Sequence, residues 1–137
     1  MKIRANQLSS HLKKSLAPCY LVTGDEYLLV SEALDEVRDA ARACGFSNRE
    51  LHVATTGFDW NQLTASTGNM SLFAEQRIVE LRLPTGKPGI NGSQAIVELV
   101  EQSGPELLFN VTGPKLDRSG SNSKWAKSID QKGVTLP

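Results

Sequence analysis

Neither sign of charge is in excess in this 137-residue sequence, where fifteen Lys and Arg balance fifteen Asp and Glu. Nothing global therefore draws the chain to nucleic acid or an anionic membrane, and any dealing with DNA must be local or indirect. Cysteine is scarce. Only Cys19 and Cys44 are present, which excludes a disulfide framework and favours reduced core thiols in a buried strand and a helix end. The two histidines, His11 and His52, stand apart from each other and from any cysteine pair, so a metal site has no sequence support. No apolar run approaches the roughly 20 residues of a bilayer span, and the Met1-Lys2-Ile3-Arg4 start lacks the apolar stretch of a secretion signal. The expectation is a cytoplasmic chain without a membrane partner. What is present, 39% hydrophobic and 22% charged residues, suits one compact domain over residues 1–137.

Hydrophobic spacing divides the chain into helices and strands. Asn6 to Ser15 carries Leu8 and Leu12 at helical spacing, and Pro18 stops it. Cys19 to Thr23 reads as a buried strand closed by Gly24. Asp25 and Glu26 then open a helix in which Tyr27, Val30, Leu34, Val37, Ala41 and Cys44 form the inner face, with Gly45 as its cap. A short strand is expected at Glu50 to Ala54, a helix capped by Asp59 up to Thr67, and a strand from Arg77 to Leu83. Thr85 to Gly92, with three glycines and one proline, reads as a loop, and Ser93 as the cap of the next helix. A strand at Glu106 to Thr112, a helix from Ser123 to Gln131 with Trp125 and Ile129 inward, and a strand at Val134 to Leu136 complete the order. Strict alternation implies an α/β fold of three layers, a parallel sheet of about five strands with helices on both faces. The stop at Pro137, just after a strand, predicts the front of a longer polypeptide.

In such a fold the first strand-to-helix loop is the place for a nucleotide. Against the phosphate-loop pattern G-x-x-x-x-G-K-[ST], Gly24 and Ser31 match, but Leu29 replaces the second glycine and Val30 the lysine. The lysine supplies the charge that meets the phosphates, and Asp25 and Glu26 would repel them. The strand ending Asn110-Val111-Thr112-Gly113 offers no acid for magnesium. No nucleophile elbow, Cys and His pair or dinucleotide fingerprint appears, so no cofactor is expected. Asp59 and Asp117 read first as capping or surface carboxylates, and Lys115 as a solvated lysine ahead of a phosphate contact.

Between the Asp59 helix and the Arg77 strand lies Thr67-Gly68-Asn69-Met70-Ser71-Leu72-Phe73-Ala74. Met70, Leu72 and Phe73 are awkwardly spaced for one helical face. They either pack inward or stand exposed as an anchor for a partner. Together with Tyr20 to Leu29, Phe58-Asp59-Trp60 and Lys115-Leu116-Asp117, this Met-Ser-Leu-Phe segment resembles the N-terminal domain of the delta-subunit family of the bacterial DNA polymerase III clamp loader, from about Ile3 to Pro137.

The resemblance implies an AAA+-like (P-loop NTPase-like) fold without a functional nucleotide site. It implies a role in DNA replication in which Met70, Ser71, Leu72 and Phe73 bind the sliding clamp (beta), Leu72 and Phe73 entering deepest, and promote ring opening for loading onto primed DNA. It implies no intrinsic catalysis, within a holoenzyme whose chemistry is that of a DNA-directed DNA polymerase, a nucleotidyltransferase. The other loader subunits, gamma/tau and delta prime, are implied as partners of a full-length protein whose helical lid and C-terminal collar domains lie outside these residues. The rival is a small nucleotide-dependent enzyme of P-loop-like fold with an unconventional phosphate site. A receiver-like regulatory domain is imitated only loosely by Asp25, Glu26 and Lys115.

Overall fold

The computed structural model describes residues 1–68 and 76–137. Five parallel strands, β1 (Cys19–Thr23), β2 (Asn48–Val53), β3 (Arg77–Arg82), β4 (Leu107–Gly113) and β5 (Val134–Leu136), lie in the order β2-β3-β4-β1-β5. Each return between parallel strands needs a crossover, and helices supply it. A 3-10 turn (Ala5–Gln7) and α1 (Leu8–Lys14) precede β1; α2 (Tyr27–Ala43), α3 (Trp60–Gly68) and α4 (Gly89–Gln102) follow the first three strands; α5 (Arg118–Ser121) and α6 (Lys124–Lys132) follow β4. The expected three-layer α/β architecture is therefore present.

Alternation along each strand sorts side chains into two cores. On one face Tyr20, Val22, Ile78, Leu108, Val134 and Leu136 pack under Leu8 of α1 and Ala33, Val37 and Ala41 of α2. On the other, Leu21, Val79, Leu81, Phe109 and Val111 pack under Leu63 of α3, Ile96 and Leu99 of α4, and Trp125 and Ile129 of α6. Asp59 caps α3 as expected, its Oδ1 accepting from the backbone of Asn61 at 3.1 Å and Gln62 at 3.2 Å. Gly45 ends α2 with φ +102°, while Gly45 N and Phe46 N donate to the carbonyls of Arg42 and Ala41. Those two bonds make a Schellman stop, which only a residue tolerant of left-handed backbone accepts cheaply.

Several expectations need correction. Helix α4 begins at Gly89 instead of after Ser93, because Pro88 presets a helical φ at the N-cap and the chain turns at Gly86 and Gly89. Gly92 is therefore helical and serves packing: a Cβ there would come within 2.7 Å of the Trp60 ring. Tyr27 and Cys44, read as core positions, are exposed, lying at the two ends of α2 beyond its contact with the sheet. Cys19 is buried as expected, and burial pushes its thiol up to about 11, which leaves it unreactive.

One buried charge was not anticipated. Glu80, 1% exposed in the middle of β3, accepts from Arg38 Nε at 2.7 Å and Arg38 Nη2 at 2.6 Å, and from Arg49 Nη1 at 3.2 Å. The bidentate fork ties α2 to the sheet, and Asp35 holds the remaining arm of Arg38 at 2.9 Å. Glu80 keeps the Arg38 guanidinium charged, the main cause of its raised pKa.

Arg38→Ala strands the Glu80 carboxylate and is expected to cost about 3 kcal/mol in urea unfolding, against less than about 1 kcal/mol for the half-exposed Arg49→Ala. Arg38→Met combined with Glu80→Leu should recover most of that loss. A second outcome concerns pH. Tyr20 Oη accepts from Ala17 N and is hydrogen-bonded to His11 Nε2, each at 2.9 Å, and burial of the ring lowers the His11 pKa from 6.5. The unfolded chain then takes up that proton first. Stability should fall as the pH drops below 6.5 and level off once folded His11 is also protonated. His11→Phe should flatten the urea-midpoint profile in that window.

Candidate functional site

The C-terminal ends of β1, β3 and β4 gather at one edge of the sheet, with the β4-to-β1 boundary as the switch point where such folds bind ligands. There Gly24 leaves β1 with its N–H on the Gly113 carbonyl at 3.2 Å. The Val30 side chain closes over the turn, since a Cβ on Gly24 would meet Val30 Cγ2 at 3.2 Å. Val30 belongs to the core under α2, so in place of a phosphate-binding lysine the loop holds a packing residue. Leu29 projects outward at 62% exposure, and Ser31 is half-buried.

Asp25 Oδ1 accepts from Lys115 N at 3.3 Å, which spends a carboxylate on closing the loop after β4. The remaining cavity, about 220 Å³, is lined by Tyr27, Val30, Leu83, Pro84, Pro114 and Arg82 among others. Nucleotide-sized ligands occupy pockets of roughly 300–1,000 Å³. Arg82 is the cation here, a residue that sequence reading passed over because it ends an ordinary-looking strand. The acid on β3, Glu80, is engaged by two arginines and is not free for a metal; among the described residues no three His, Cys, Asp or Glu side chains cluster as metal ligands.

The other candidates resolve individually. Asp59 and Asp117 are helix caps; Asp117 Oδ1 accepts from Gly120 N at 2.6 Å. Lys115, Lys87 and Lys124, all exposed, rim a cleft of about 740 Å³ between the loops after β3 and β4 and the start of α6. The cleft is cationic but open, so its charges are solvated.

Met70, Ser71, Leu72 and Phe73 lie outside the described residues. Their flanks are firmly built. Phe58 and Trp60 meet edge to face at 4.8 Å, Trp60 packs on Gly92 of α4, and Leu63 is 1% exposed, so α3 is welded to α4. On the other side Gln76 Nε2 donates to Pro105 O at 3.0 Å and Arg77 Nη1 meets Glu50 Oε1 at 3.3 Å. Gln76 enters β3 at the N-terminal edge of the sheet, opposite to the edge that carries the closed phosphate loop.

A family model described as DNA polymerase III, delta subunit, matches residues 20–137. The chain is 29% identical over 136 residues to DNA polymerase III subunit delta of Escherichia coli K12, covering 99% of this chain and 40% of that protein. To the Haemophilus influenzae subunit delta it is 28% identical over 130 residues, covering 95% and 38%. It thus spans about 40% of the length of these relatives. The Bacillus subtilis DNA clamp loader delta protein superposes with a TM-score of 0.68 at 19% identity, over 96% of this chain and 41% of that one, a likeness of fold.

With the loop filled by Val30 and lined by carboxylates, equilibrium dialysis against millimolar Mg·ATP is expected to register no binding to the chain. Saturable uptake that disappears in Gly24→Val would revive a nucleotide-dependent activity.

Proposed function

The chain belongs to the DNA polymerase III delta-subunit family, and on that premise we propose that it is the sliding-clamp-binding domain of a clamp loader, with Leu72 and Phe73 as the anchor supported by Met70 and Ser71. The observation that carries this reading is the family match across residues 20–137, which includes that segment. The closed phosphate loop is consistent with it. A domain that has lost its nucleotide acts by binding, and here binding favours the open clamp ring over the closed one to the extent that the domain fits the open ring better. No bond is broken in that step. Catalysis by the holoenzyme, ATP hydrolysis by gamma/tau, and contact with delta prime and primed DNA belong to the assembled full-length protein in the cytoplasm.

The energetic scale is modest. Full burial of a Leu or Phe side chain is worth about 1.5–3 kcal/mol, and central apolar anchors commonly dominate an interface. The welding of α3 to α4 and the anchoring of Gln76 and Arg77 hold both flanks of the segment on rigid elements, which lowers the entropy lost when it docks.

Calorimetry with the sliding clamp of the same organism is expected to show binding by the native chain, weakened at least tenfold by Leu72→Ala with Phe73→Ala, about 1.4 kcal/mol or more. Far-UV dichroism should show the double variant still folded. No binding by the folded native chain would return Met70, Leu72 and Phe73 to a packing role.

A further inference from the structure

The outward face of α2 is built against its own stability. Ala33, Leu34, Val37 and Ala41 are its buried side, and a helical turn of 100° per residue puts Leu28 and Glu32 opposite them, with Leu29 and Glu36 on the adjoining exposed flank. Leu28 and Leu29 are 67% and 62% exposed, beside Tyr27 at 71%. Glu32 and Glu36 are spaced i,i+4, a like-charge pairing that weakens a helix. Asp35 and Asp39 are answered by Arg38 and Arg42 at 2.9 and 2.8 Å, whereas Glu32 and Glu36 have no ion-pair partner among the described residues. Residues 25–43 hold six carboxylates against two arginines in a chain of zero formal net charge.

We propose that this stripe docks a second protein through a basic, apolar segment, an amphipathic helix whose leucine-like side chains cover Leu28 and Leu29 and whose lysines or arginines meet Glu32 and Glu36. Such a segment relieves both local defects at once, the exposed leucines by burial and the two glutamates by opposite charge. Leu28, Glu32 and Glu36 follow one another at intervals of about one helical turn, a spacing that suits helix-against-helix recognition. The same carboxylates repel anionic lipid and nucleic acid, which removes those as occupants. The stripe is on the sheet face opposite α3, so the inference does not rest on the clamp-binding reading.

The test uses the 137-residue chain, isotope-labelled, and three synthetic 18-residue helical peptides: one with a leucine stripe and lysines, one with the lysines replaced by glutamates, and one with the leucines replaced by serines. The lysine and leucine peptide is expected to shift amide resonances of residues 26–36, and to bind at least tenfold more tightly than either control. Binding should weaken at least tenfold in Leu28→Ser with Leu29→Ser, and again in Glu32→Gln with Glu36→Gln, a pair that leaves packing untouched and should raise the melting temperature slightly. Equal binding by the variants, or shifts that map to another face, would overturn the proposal. So would concentration-dependent self-association through the stripe, or insertion of the stripe into neutral phosphatidylcholine vesicles, since the occupant would then be a second copy or a lipid surface.

Discussion

Parallel pairing of β4 with both β1 and β3 is the constraint from which the rest of the molecule follows. A parallel neighbour is reached only by a crossover, so each return passes over a face and both faces acquire helices. Loops leaving strands then collect at one edge and loops entering them at the other. The turn at Gly24, the Pro84 to Pro88 connection and the Pro114 loop share the first edge; Gln76 and Glu106 share the second, where Arg77 N takes the Glu106 carbonyl at 3.0 Å. Two sets of loops are thereby kept apart by the length of a strand before any side chain is chosen.

At the first edge the fold retains the frame of a phosphate site and fills it. Val30 stands over Gly24 where a lysine would be needed, Asp25 accepts from the Lys115 backbone, and the acid of β3 is locked to Arg38. The Glu80 pair is better understood as a constraint than as net stabilisation, because desolvating two charges offsets most of their attraction. Its consequence is positional. With small residues such as Ala33 and Ala41 as much of its buried side, α2 has limited apolar grip, and a bidentate fork at Arg38 sets its rotation on the sheet. That rotation is what presents Leu28 and Leu29 to solvent.

Legibility in the sequence followed the range of the interaction involved. β1 and β5 were readable to the residue because short β-rich runs end at Gly24 and begin after Gly133. The stop at Gly45 and the Asp59 cap were readable because both are local backbone chemistry. The start of α4 was misplaced because the glycines of Thr85 to Gly92 look alike in sequence, yet Gly86 turns the chain while Gly92 makes room for Trp60, a contact with a distant helix. Tyr27 and Cys44 fit the helical period but lie past the ends of the sheet that would bury them. The Arg38 to Glu80 pair spans 42 positions and gives no periodic signal. Leu29 and Val30 were legible as departures from the phosphate-loop pattern, whereas the approach of the Val30 side chain to Gly24 was not.

Zero net charge, taken at the outset to exclude a global attraction, conceals a polarised surface. Glu32 and Glu36, without an ion-pair partner among the described residues, are exposed on α2, while Lys87, Lys115 and Lys124 rim the cleft on the side of α4 and α6. The helices that carry the two patches pack on opposite faces of the sheet, and salt screens exposed charges beyond a Debye length of about 8 Å at physiological ionic strength. Each patch therefore acts on what comes near it with little cancellation from the other. A balanced sum thus limits long-range steering but leaves short-range recognition by each patch intact.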